Sequence, residues 1–353
     1  MSHARWSAAR ANAWAAARPW YVGCNFLPST AINQIEMFAA DSFDAMTIDR
    51  ELGWAAALGF NAVRVYLHDL LWTEDAEGFL GRLDAFLHIA DRHGIAALVV
   101  LFDDCWHEPR AGRQPDPVPG VHNSGWARSP GRDTLLDRGR WPVLEAYVTA
   151  VVRRFADDRR IIGWDVYNEC TNIYMPAMAL PRAERKLAMA ELMRDRPAQS
   201  DAAIALLHAA FGWVRTVDPS QPLTAGSWHE DEGLNATLHG LSDIISFHNY
   251  KPVETLEAEL ARLKAFGRPL WCTEYLNRRE NCLFETHLPL FHRERVGCWN
   301  WGLVDGRSQT KYAWSDPAGG PEPDPWFHDI LHANGAPYRD DEAAFLKATL
   351  RRP

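Results

Sequence analysis

IIGWDVYNEC, residues 161–170, reads as a strand buried on both faces: Ile161, Ile162, Trp164 and Val166 leave no polar side for water. The run ends on Asn168 and Glu169. A second stretch, RPLWCTEYLN at 268–277, has the same build, with Leu270, Trp271 and Cys272 leading into Glu274. A carboxylate is costly to bury, so a glutamate at the carboxyl end of a buried strand points to function. Two of them meet the demand of glycosidic-bond chemistry for paired carboxyls, one to give a proton and one to attack.

Outward from these two stretches, one pattern repeats. Apolar runs at 20–24, 62–66, 96–102, 161–167, 222–225, 244–247, 269–273 and 296–300 alternate with helical patterns such as 79–93, 141–155, 202–217, 253–266 and 281–293. Gly59, Gly94, Asp218-Pro219 and Gly267 punctuate four helix ends. Strict strand–helix alternation predicts a parallel α/β sheet, and eight units close into a (β/α)8 TIM barrel. An open doubly wound sheet would more often carry a glycine-rich phosphate turn after an early strand, and neither GxGxxG nor a P-loop pattern is found. Glu274 follows Glu169 by 105 residues, three units of 35. That places the two glutamates on the fourth and seventh strands, which face each other across an eight-stranded barrel.

Bulk properties narrow the partners. The chain has 353 residues, 47% of them hydrophobic, enough for one large core. Its net charge of -9, with no block of Lys or Arg, argues against nucleic acid and anionic membranes. The amino-terminal MSHARWSAARANAWAAARPW is broken by Arg5, Arg10, Asn12 and Arg18, so no signal peptide or membrane span is expected, and a cytoplasmic location is. Six cysteines without a CxxC pair predict reduced thiols. Asp103, Asp104, His107 and Glu108 lie close together but lack HxH or HExxH spacing, so neither a metal nor another cofactor is expected. Nothing in the sequence speaks to oligomeric state.

Three long segments, 103–140, 170–200 and 302–326, follow the third, fourth and eighth strands and would rise over the carboxyl face of a barrel. They carry Trp106, Trp126, Tyr174 and Trp314, and Trp228 follows the fifth strand. Indole and phenol faces suit stacking on sugars.

In these residues the chain resembles the retaining β-glycosidases of clan A, and most of all glycoside hydrolase family 5, the cellulase-like barrels. The resemblance runs over nearly the whole chain, with a barrel core at about 20–326 inside one domain spanning 1–353. It implies that Glu169 is the acid/base, Glu274 the nucleophile, and Asn168 a partner of the sugar 2-hydroxyl. NAVRVY supplies Arg64, which would steady the nucleophile; ISFHNY supplies His248 and Tyr250; CWNWG supplies Trp301, rather than Trp299, as the platform under the sugar. Asn25 in GCNF resembles the asparagine that ends the first strand. The chain departs from the family at the third strand, where ALVVLFDDCWHE offers Asp103 and Asp104 in place of a histidine, acids expected to bond sugar hydroxyls in another way.

The implied activity is hydrolysis of β-glycosidic bonds with retention, on small carbohydrates: short soluble oligosaccharides or glycosides. A non-catalytic carbohydrate-binding barrel and a transglycosylase using the same glutamates are the alternatives. Two close carboxyls split their pKa values, so ionised Glu274 is expected to keep Glu169 protonated.

Overall fold

The computed structural model describes residues 4–172 and 182–350; Tyr174 lies outside them. Eight strands form within two residues of where the apolar runs place them: β1 Val22–Asn25, β2 Ala62–Tyr66, β3 Ala96–Asp103, β4 Ile161–Asn168, β5 Leu223–Thr224, β6 Ile245–His248, β7 Leu270–Tyr275 and β8 Gly297–Trp301. All ladders are parallel, in the order β5-β4-β3-β2-β1-β8-β7-β6. The seam between β5 and β6 is stitched by Asp243 N donating to Leu223 O at 2.7 Å, Ser227 N to Ser246 O at 3.0 Å and His248 N to Ser227 O at 2.8 Å. The result is the (β/α)8 barrel that the alternation predicts. Helices Ala45–Leu58, Asp69–Arg92, Trp141–Arg154, Arg182–Val217, Glu232–Leu241, Val253–Lys264, Phe284–Glu294 and Asp340–Thr349 follow the eight strands in turn.

The two-residue period of a strand sorts its side chains between barrel axis and helix layer. On β2, Val63 and Val65 join the large core between sheet and helices, while Arg64 and Tyr66 point to the axis. At the amino-terminal end the axis is filled by Trp271 and Trp299, edge to face at 5.6 Å. Glycines make room for them: a Cβ on Gly297 would lie 2.5 Å from Trp271 Cδ1. Trp299 is thus core, and some of the chain's 16 tryptophans are barrel filling.

Two segments beyond 20–326 also pack on the barrel. The Ala-rich amino-terminal stretch forms the helix Ala8–Ala16, whose Trp14 meets Trp271 edge-on at 6.0 Å. The helix Asp340–Thr349 buries Ala343 and Leu346, and Glu342 pairs with buried Arg278 beyond β7. All six cysteines are unpaired and buried. Among the described residues no helix is long and apolar enough to cross a membrane.

Asp243 holds the seam. Its buried carboxylate accepts from Leu223 N at 2.9 Å, Trp6 N at 2.8 Å and both Arg215 Nη atoms at 2.8 and 2.7 Å. Asp243→Ala would strand the Arg215 guanidinium, and breaking a buried pair costs about 3–5 kcal/mol. Urea unfolding of the variant should show a loss of that size; less than about 1 kcal/mol, the size of an exposed pair, would contradict the assigned role.

Candidate active site

Lateral register lines up the strand ends at the carboxyl face. Asn25 pairs with Arg64 on one side and Trp301 on the other, Asp103 with Asn168, and His248 with Glu274. One residue past β4 the chain turns through left-handed backbone at Glu169, with φ of 41°. A non-glycine residue there is strained, and such strain clusters at functional sites.

Arg64 lies at the centre with 0% of its surface exposed. Its Nη1 donates to Glu274 Oε1 at 2.8 Å, to Asn25 Oδ1 at 2.9 Å and to the Tyr66 hydroxyl. Nη2 donates to Asn168 Oδ1 at 2.6 Å and to Asp165 Oδ2 at 2.8 Å, and Nε to the same Asp165 oxygen at 3.0 Å. Burial alone would lower its pKa, but Tyr66, Asp165 and Glu274 outweigh that and raise it. The cation is permanent and each of its nitrogens is engaged.

Glu274 is ringed by donors. Oε1 accepts from Arg64 and from the Tyr66 hydroxyl at 3.0 Å; Oε2 accepts from the Tyr250 hydroxyl at 2.8 Å. Burial holds both phenols well above the ordinary tyrosine range, so both remain donors. Three donors thus converge on this carboxylate, and His248 Nδ1 stands 3.4 Å from Oε2.

Glu169 has a different shell. Oε1 is 2.8 Å from His248 Nδ1; Oε2 accepts from Asn172 Nδ2 and from the Cys105 thiol at 3.1 Å. Burial pushes its pKa up, but the His248 hydrogen bond and charge and the other two donors prevail, and the net shift is downward. The expected upward shift is therefore corrected, because His248 intervenes. Burial pulls the imidazole down, yet Glu274 and Glu169 raise it above its ordinary value. Each of the two groups favours the charged form of the other. One atom each from Glu169, His248 and Glu274 lie within 4.8 Å of one another. The trio could chelate a cation in geometry, but Arg64 already balances the charge of Glu274.

Four sequence-predicted contacts sit beneath the cavity instead of lining it. Asn25 is occupied by Arg64 and by Thr273 O at 2.8 Å. Arg64 is enclosed. Asp103 accepts from Trp126 Nε1 at 2.7 Å, Cys105 N at 2.9 Å and Asn168 Nδ2 at 3.0 Å, and burial pushes its pKa up to about 7. Asp104 is held by Arg128, the Tyr167 hydroxyl at 3.0 Å and Thr171 N at 2.7 Å. The direct sugar bonding expected of Asp103 and Asp104 is thus not what the structure offers: both carboxylates are turned into protein donors. Asn168, Glu169, Trp228, Tyr250, Glu274 and Trp301 line a cavity of about 210 Å³, with Trp106, Trp126 and Trp314 in its wall. His248 lines the adjoining groove. Tyr66, Asp165, Cys105 and Asn172 went unread in the sequence. Tyr66 stands two residues past Arg64 on the same strand face, and Asp165 is an acid within a strand buried on both sides, so both carried a signal.

The cavity is closed on one side. The loops after β3 and β8 are laced together by Gly319 N to Pro119 O at 2.7 Å, Asn123 N to Ser308 O at 2.8 Å, Gly120 N to Gln309 Oε1 at 3.0 Å and a His122 Nδ1 bond to Tyr312 O at 2.8 Å. On the other side a groove of about 850 Å³ runs from Glu169 past Trp228, His248 and Lys251 to Asn277.

No family model matches the chain, and no curated protein does. Solved structures do. The GH5_18 protein from Streptomyces cattleya in complex with Manb1-4GlcNAc is 15% identical, with a TM-score of 0.59 over 93% of this chain and 79% of that one. The exo-beta-1,4-mannosidase Op5Man5 from Opitutaceae bacterium strain TAV5 is 17% identical, with a TM-score of 0.60; it covers 98% of this chain, which spans 61% of it. The hyperthermostable endo-1,4-beta-D-mannanase from Thermotoga petrophila RKU-1 is 13% identical, with a TM-score of 0.53 over 94% of this chain and 99% of that one. At these identities the shared property is the barrel fold.

The Glu169–His248 pair has a signed pH dependence. The lowered Glu169 adds stability that is present above the ordinary glutamate pKa and lost as pH falls through its depressed value. The raised His248 adds stability that is present below the ordinary histidine pKa and lost as pH rises through its elevated value. Carboxyl-carbon NMR should find Glu169 titrating below the ordinary range, and His248→Asn should move it upward. A Glu169 titration that ignores this substitution would contradict the pairing.

Proposed function

We propose that this chain is a retaining β-glycosidase of the clan A type, with the pattern of glycoside hydrolase family 5. The observation that carries the reading is the carboxylate pair: oxygens of Glu169 and Glu274 within 4.8 Å, across the barrel mouth, one ringed by fixed donors and the other joined to a proton-bearing imidazole. Retaining enzymes set their carboxyls about 5–5.5 Å apart, whereas inverting ones leave about 6.5–9.5 Å for a water. The barrels described above, two of whose names declare action on β-1,4-mannosidic bonds, support the same class.

The reaction follows from the two shells. Glu274, held ionised by Arg64, Tyr66 and Tyr250, attacks the anomeric carbon; the new bond is C1–Oε and the bond from C1 to the leaving oxygen breaks. The leaving oxygen takes a proton from Glu169, which draws on the one it shares with His248. Esterification removes the charge of Glu274. Glu169 then acts as base on a water, which displaces Glu274 and restores it. Asn168, fixed by Arg64 through Oδ1 and by Asp103 through one Nδ2 hydrogen, keeps its other Nδ2 hydrogen for the sugar 2-hydroxyl; its one further partner is the Cys105 sulfur at 3.9 Å. Trp301 supplies the platform. Asn25, Asp103 and Asp104 act as positioning residues. No cofactor enters any step.

The shape of the mouth bears on substrate size. The laced β3 and β8 loops end the cavity, and the open groove begins at Glu169, the residue that protonates the leaving group. One sugar enters the closed end and the leaving group lies outward in the groove, which is exo action on short soluble oligosaccharides or glycosides.

Glu274→Ala should lower turnover by at least about three orders of magnitude, because the covalent step is gone. Azide should restore it and give a glycosyl azide of inverted configuration; near-normal activity without azide would sink the assignment. Glu169→Ala should spare dinitrophenyl glycosides, whose leaving group needs no proton, and cripple substrates with poor leaving groups. Equal losses on both would remove Glu169 from the acid role. Chromatography at early times should show single sugars leaving soluble oligosaccharides, and a ladder of mid-length fragments would show the closed end to be open.

A further inference from the structure

The closed end of the cavity carries a polar atom that the reaction does not use. His122 is 5% exposed, stands beside Trp106 with ring centroids 5.7 Å apart, and lines the cavity. Its Nδ1 meets a carbonyl, Tyr312 O at 2.8 Å, and a carbonyl can only accept. Nδ1 therefore bears the hydrogen, and Nε2 is left as an acceptor to which none of the described residues donates. Burial lowers the pKa of His122 to about 4, so the ring stays neutral across the working range. Trp106 shares that wall through its ring, while its indole N–H is closed off from the cavity and has no acceptor among the described residues. Buried polar groups are almost always paired, and an unpaired acceptor on a cavity wall fits a ligand that offers a hydrogen.

Charge narrows the ligand further. Among the described residues lining the cavity the groups that carry charge are Glu169 and Glu274; no Lys or Arg lines it, and the cation beneath, Arg64, is fully engaged. A sugar carboxylate here would be desolvated, with Arg64 and His248 already committed to Glu274 and Glu169, and set near two acids. A neutral sugar hydroxyl donates, and meets the His122 acceptor.

Resting on the glycosidase reading, we infer that His122 is the sugar-selecting residue of this wall, with the Trp106 ring beside it, and that the cavity takes a neutral pyranose through one hydroxyl that donates to His122 Nε2, and excludes uronic acids. A site built around a hydroxyl discriminates strongly against a sugar that lacks it, because the protein groups are then left unpaired.

The test is a panel of nitrophenyl β-glycosides of neutral hexoses, their monodeoxy analogues and the glucuronide, assayed on wild type, His122→Phe and His122→Gln, with binding of a neutral monosaccharide lactam measured by calorimetry. His122→Phe keeps a ring without the acceptor, and His122→Gln restores an acceptor if the ring swap disturbs folding. Wild type should favour neutral hexosides over the glucuronide. His122→Phe should lose roughly 10- to 100-fold in kcat/KM, with His122→Gln between. One deoxy analogue should be poor for wild type and lose nothing further in His122→Phe. Cleavage that His122→Phe leaves within threefold on every hexoside, equal losses on all deoxy analogues, or a preference for the glucuronide would overturn the inference while the glycosidase reading stands. Lactam binding weakened by His122→Phe, without cleavage of any glycoside, would support the recognition wall and count against the reaction.

Discussion

The site depends on one buried cation. Arg64 gathers Asn25 from β1, Tyr66 from its own strand, Asp165 and Asn168 from β4 and Glu274 from β7. A guanidinium taken out of water is costly, and only near-complete hydrogen bonding with opposing charge offsets that cost. That requirement fixes where four strands end relative to one another. It also aims the Glu274 carboxyl, so the forces that hold the upper barrel together are those that would prepare the proposed chemistry. Truncating Arg64 would leave carboxylates without their counter-charge, so fold and function are not separable at this residue.

Around that centre the two glutamates differ in the donors that bond them. Glu274 accepts hydrogen bonds from groups that do not titrate near neutrality, with His248 Nδ1 standing farther off, 3.4 Å from its Oε2. Glu169 is joined to His248, which titrates. A proton placed on the pair is available to either partner, and the pair loses it as a unit. Glu169 sits in left-handed backbone one residue past β4, and from there its carboxyl meets the imidazole.

The barrel was legible because its signals are local. Apolar runs of strand length, spaced by amphipathic helices, gave all eight strands, and Glu169, Glu274 and Arg64 stood out as charges inside or at the end of such runs. What stayed hidden depends on distant pairs. Asp103 and Asp104 end a strand just as Glu169 follows one, and the sequence does not tell which of them faces the cavity; Trp126 and Arg128, from the following loop, turn both inward. The downward shift of Glu169 needed its contact with His248, 79 residues away. The lacing of the β3 and β8 loops joins backbone atoms nearly two hundred residues apart, beyond the reach of any periodicity. The Ala-rich amino-terminal stretch was read for what it lacks, while its role, Trp14 against the barrel floor, depends on Trp271 at the other end of the chain.

The central claim is that Glu274 forms a bond to the sugar. A 2-deoxy-2-fluoro β-glycoside with a good leaving group slows breakdown of that bond more than its formation. After incubation, intact mass spectrometry followed by peptide mapping should find one fluorosugar per chain, on the peptide that contains Glu274. An enzyme that hydrolyses glycosides yet accumulates no adduct, or carries the sugar on another residue, would contradict the account.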